Sequence, residues 1–73
     1  MDTIGNRAWK EIKKRALQKG ISFHQETLRI GITSSHITSD WKRDANPSAY
    51  YLQMLCLAGY DVVYILTGER SSK

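Results

Sequence analysis

Apolar residues recur along this chain at helical rather than strand spacing. Ile4, Ala8, Ile12 and Ala16 fall every fourth position, with Trp9 and Leu17 alongside, and this period predicts an amphipathic helix over residues 3–19. Thr3 or Asp2 is suited to cap its start and Gly20 to end it. Its other face carries Lys10, Lys13, Lys14 and Lys19; the first three face either a partner or solvent, and solvent is the favoured reading. A second helix is predicted from the cap Ser22 to Gly31, with a less regular apolar side of Phe23, Thr27, Leu28 and Ile30. Thr33 is placed as the cap of a third helix over residues 34–42, with Ile37 and Trp41 on its core side.

Asn46 and Pro47 read as the cap and first turn of a fourth helix ending at Gly59. Tyr50, Tyr51, Leu52, Met54, Leu55, Cys56, Leu57 and Ala58 make it apolar almost all round, which predicts contacts on more than one side. Asp61 caps a last helix over residues 62–66, closed by Thr67-Gly68. Strand alternation is weak throughout. The expected architecture is all-α: a compact five-helix bundle over residues 1–69, with a polar tail at 70–73.

Length and composition narrow what such a bundle can do. With 73 residues there is one domain, burying only about 60% of its unfolded surface, so a catalytic pocket would compete with the core. The single cysteine, Cys56, excludes an internal disulfide and is expected to be a small buried hydrophobe. With two histidines and no second cysteine, a four-ligand zinc site lacks ligands, and no cofactor is expected. No phosphate loop or paired-carboxylate site accompanies Ser34, Ser35, His36 and Asp40, so neither an enzyme nor a small-molecule substrate is expected. The sequence has no apolar run near the length of a membrane span and no signal-peptide pattern. The expectation is a cytoplasmic protein.

Charge supplies a partner class. Residues 1–43 hold nine Lys and Arg against four Asp and Glu, a net +5, whereas residues 44–73 hold two against three, a net −1. A one-sided positive field attracts polyanions, although a solvated basic face with no partner has the same composition. The third helix lies in the basic half. Ser34, Ser35 and His36 on its first turn, with Thr38 and Ser39 on the next, are small polar groups able to meet base edges. Thr33, Lys42, Arg43 and, from the second helix, Gln25 are candidates for phosphate. The base-facing set lacks Arg and Gln, which predicts light direct readout supplemented by DNA shape and backbone contacts. Trp9, Phe23, Trp41 and Tyr51 are expected in the core, whereas Tyr50, Met54, Leu57, Tyr60 and Tyr64 are candidates for a dimer seam.

Taken together, Ile21-Ser22 through Trp41-Lys42-Arg43 resembles the helix-turn-helix core of the lambda-repressor-like (Cro/CI, XRE-type) family. Ser22, Gly31, Ile32, Thr33 and Ile37 match that pattern, and the closing run from Asn46-Pro47-Ser48 to Leu66-Thr67-Gly68-Glu69 is similar to the ending of phage CI-like repressors. The chain departs from it at Phe23, where the family favours Gln, at Glu26-Thr27 in place of a Leu-Ala pair, and at Trp41, one residue late. The resemblance implies a helix-turn-helix made by helices 2 and 3. It also implies a transcription regulator, commonly a homodimeric repressor on a two-fold double-stranded DNA operator. The competing expectation is a protein-interaction module that uses the apolar fourth and fifth helices.

Overall fold

Local hydrogen bonds delimit each helix in the computed structural model, which describes residues 2–70. The elements are α1 (Ile4–Lys19), α2 (Phe23–Ile30), α3 (Ser35–Lys42), α4 (Ala49–Leu57) and α5 (Val62–Thr67). The Thr3 hydroxyl accepts from the Asn6 amide at 3.1 Å, and the Asp61 carboxylate accepts from that of Tyr64 at 3.0 Å. Both are caps of the expected kind. Two starts differ from expectation. α3 begins at Ser35, its cap position is Ser34, and no side chain bonds the cap amides, so Thr33 lies outside the helix. α4 begins two residues later than Pro47 implied, because the Ser48 hydroxyl, not Asn46, accepts from the Tyr51 amide.

α1 is the central rod, packed against α2, α3 and α5. The core joins Ala8 and Ile12 of α1 to Ile30, Ile32, Trp41, Leu55, Tyr60 and Ile65. Among the described residues the structure is all-helical, and no helix is long and apolar enough to cross a membrane. Three side chains of α1 also bond the ends of other segments. Asn6 Nδ2 donates to the Trp41 and Lys42 carbonyls at 3.0 and 3.2 Å. Arg7 donates to those of Ile65 and Leu66, and Arg15 to that of Gly59. The Trp41 carbonyl also accepts from the Asp44 amide at 3.2 Å; the others, at or just past helix ends, have no intrahelical donor, so α1 satisfies groups that would otherwise need water.

Gly5 sets how closely α1 meets the turn after α3. A β-carbon there would stand 1.8 Å from the Ala45 carbonyl oxygen. Gly31, between α2 and α3, has φ 108°, and a β-carbon on it would meet Met54 Cε at 2.8 Å.

Several expected placements are corrected. Leu17, assigned to the apolar side of α1, is 72% exposed, because the stripe Gly5, Ala8, Ile12 and Ala16 already faces the neighbouring helices. Cys56 is exposed rather than buried, since α4 inserts only Leu55 fully. Arg70, assigned to the tail, donates to Glu11 at 2.9 Å and lies over the Tyr64 ring. Residues 71–73 lie outside the described residues.

Candidate nucleic-acid interface

α2 and α3 are joined through Gly31 to Ser34. At the start of α2, Ser22 Oγ accepts from the Gln25 amide at 3.0 Å, while Gln25 Oε1 accepts from the Ser22 amide at 2.9 Å, a reciprocal capping box. The Gln25 carbonyl oxygen is therefore committed to its own helix. Only the amide nitrogen of that side chain is left for a phosphate.

α3 turns Trp41 and Thr38 inward. Thr38, expected to face bases, is instead buried and donates to the Ser35 carbonyl at 3.3 Å. It stands three residues before Trp41, hence on the same helix side. Ile37 is half-buried against the core, and Ser34 is half-buried at the cap. Ser35 and His36 are exposed and Ser39 is partly so, and these remain the groups offered outward. Asp40 and Arg43 follow His36 at four and seven residues, so they continue its face. Their ion pair, at 3.1 Å, is exposed on both sides. Arg43, a candidate for phosphate, is paired with Asp40 in this structure. Lys42 turns the other way, its Nζ 5.0 Å from the centroid of the Trp9 ring.

Beside α3 lies a cleft of about 290 Å³ whose wall includes Trp9, Phe23, His24, Thr33, Ser35, Ser39 and Lys42. Thr33 thus lies beside Ser35 and Ser39 without capping α3. A second hollow, of about 220 Å³, runs past Ile37, Asp40, Trp41 and Tyr51 on the α4 side.

Several cations of the positive half-chain are paired within the protein. Glu26 is fully buried, and its carboxylate accepts from Lys19 Nζ at 3.1 Å, from Arg29 at 3.0 and 2.8 Å, and from the Tyr60 hydroxyl. The Arg29 guanidinium is the main reason its pKa falls from 4.5 to about 2; burial opposes this, and the Tyr60 and Lys19 hydrogen bonds reinforce it. Burial, with the carboxylate beside it, pushes the Tyr60 phenol up, so it remains a donor at neutral pH. Arg7 pairs with Asp2 at 3.0 Å. Lys10, Lys13, Lys14 and Lys42 make no ion pair among the described residues.

Glu26 and Tyr60 were missed as partners. The signal for Glu26 was available: with Phe23, Thr27 and Ile30 it falls on the three-and-four spacing of the inward side of α2. Tyr60 lies 34 residues away, and no local spacing connects it. Its burial also removes it from the expected dimer seam. Of the other seam candidates, Tyr50 and Leu57 are exposed by 65% and 80%. Met54 and Tyr64 are half-buried against the core. Val63 and Leu66, which were not singled out, are exposed as well. No group of three or more His, Cys, Asp or Glu side chains among the described residues is placed to hold a metal ion.

Comparison of the chain with protein-family models, with curated proteins and with solved structures found no match.

Proposed function

We propose that this chain is a sequence-specific double-stranded DNA-binding regulator of transcription, of the lambda-repressor-like helix-turn-helix kind. α3 would occupy the major groove, and a homodimer would repress by covering a palindromic operator, in the cytoplasm of a bacterial or phage-infected cell. The observation that supports this best is the division of α3. Its eight residues make a rod of about 12 Å, comparable with a major groove about 12 Å wide. One side is anchored by Trp41, Thr38 and the Asn6 hydrogen bonds. The other offers Ser35, His36 and Ser39, with the Asp40–Arg43 pair following. Lys42 and the start of α2 stand at its flank, where phosphates would run. The resemblance of Ile21 to Arg43 and of Asn46 to Glu69 to phage CI-like repressors supports the same reading.

Selection of bound sequences from random duplex DNA tests it, and a palindromic consensus is expected. Half-sites in such complexes lie about 34 Å apart, so the consensus should repeat after one helical turn. The paired substitution S35A/H36A is then expected to reduce preference for the selected site more than affinity for random duplex. Equal losses on both would remove Ser35 and His36 from base reading. A second reading, a protein-interaction module, draws on the exposed Tyr50, Leu57, Val63 and Leu66. A monomer with no duplex affinity at low salt would favour that reading and refute DNA binding.

A further inference from the structure

Trp9 brings together two cations from different helices. Lys13 Nζ, one turn further along α1, stands 5.1 Å from the Trp9 ring centroid, and Lys42 Nζ, from the last turn of α3, stands 5.0 Å from it. The ring is held from α2 by Phe23, centroid to centroid 5.4 Å. Both lysines are exposed, and neither makes an ion pair among the described residues. Each cation–ring contact is worth about 0.5–1 kcal/mol at an exposed site. Repulsion between two ammoniums roughly 5 to 10 Å apart in water is about 0.4–0.8 kcal/mol, below the sum of the two ring contacts. The ring can therefore hold both charges in place without an acid to neutralise them. The same ring forms part of the wall of the 290 Å³ cleft with His24, Ser35 and Ser39. Lys42 lines that cleft with them, so a strand of polyanion leaving the exposed face of α3 would meet those hydroxyls and the Lys42 ammonium first, and Lys13 on the same ring next.

We propose that Lys13 and Lys42, mounted on Trp9, form a phosphate clamp that extends the DNA contact from α3 onto α1 and holds the sugar-phosphate backbone beside the groove. This rests on the DNA-binding reading above. Phosphate is the fitting group because a lysine ammonium is a compact point charge without the fork that reads a base edge in two places. The clamp assigns Lys13 to DNA, where the sequence favours solvent over DNA for it as for Lys10 and Lys14.

The test is fluorescence anisotropy of a labelled random-sequence duplex across a salt series. It compares the wild type with Lys13→Ala, Lys42→Ala, the double variant K13A/K42A and the control K10A/K14A. Each phosphate contact adds about 0.9 to the slope of log Kobs against log salt. Lys13→Ala and Lys42→Ala are each expected to lower the slope by about 0.9, and their combination by about twice that. K10A/K14A is expected to leave it unchanged. An unchanged slope in Lys13→Ala, with the wild type still binding, would overturn the clamp and leave the DNA reading intact. An equal fall in K10A/K14A would also overturn it, by showing a diffuse charge effect. Absence of wild-type binding at low salt would refute both proposals.

Discussion

Replacing Glu26 with Gln isolates the one fully buried charge in the molecule's described part. The substitution keeps the side-chain shape and removes the ionisation. The native carboxylate titrates near 2 rather than 4.5. A fall of that size corresponds to about 3 kcal/mol of stability at neutral pH, at about 1.4 kcal/mol per pH unit. A domain of this length has roughly 4–11 kcal/mol in all, so the network supplies a large share. The sign follows from the depressed pKa. The contribution is fully present above about pH 4.5, where the unfolded chain is also ionised. It is lost as pH falls toward 2, with about 2 kcal/mol gone by pH 3.

Lys19 and Arg29 keep side-chain exposures of 35% and 41%, so water can hydrate them in the variant and no cation is stranded. Urea unfolding followed by circular dichroism at pH 7, 5, 4 and 3 measures the gap between wild type and Glu26→Gln. The gap is expected to be about 3 kcal/mol at pH 7 and about 1 kcal/mol at pH 3. The remaining carboxylates titrate in both proteins and cancel. Tyr60→Phe, which removes a hydrogen bond to the charged group, is expected to cost about 1.5–3 kcal/mol at pH 7. It should also reduce the acid-dependent part. A gap that stays constant from pH 7 to pH 3 would refute the account of Glu26 as an ion held by Arg29, Tyr60 and Lys19.

Gly5→Ala should destabilise, although alanine normally improves a helix interior by about 0.8–1 kcal/mol over glycine. The added methyl would stand 1.8 Å from the Ala45 oxygen, and overpacking of that kind costs about 1–3 kcal/mol, read as a fall in Tm by calorimetry. A rise in Tm would show that α1 and the turn after α3 are not in close contact. Leu57→Glu places a charge on a residue that is 80% exposed and should change monomer stability by less than about 0.5 kcal/mol. If α4 forms the dimer seam, sedimentation should show clearly weaker association. Unchanged association would exclude Leu57 from the seam.

The sequence by itself determined where most helices begin and end. The caps at Thr3, Ser22 and Asp61 and the left-handed glycines 20, 31 and 68 act within three or four residues. Such signals are complete in the local sequence. The weaker cases are the starts of α3 and α4, where neighbouring polar residues compete for one cap position and the winner depends on how the chain arrives. Helical spacing also placed Ala8, Ile12 and Trp41 inward correctly.

Only the tertiary structure decided which of several plausible faces met another helix. Thr38 and Ser39 are adjacent polar residues, yet the direction of Trp41 buries the first and leaves the second at the surface. Leu17 and Cys56 look interior by composition, but their helices had already turned other residues to the core. Tyr60 and Glu26 required a contact across 34 residues, and Trp9 with Lys13 and Lys42 required α1 and α3 to lie side by side. Burial and charge pairing depend on proximity in space. Spacing along one helix records only proximity along the chain.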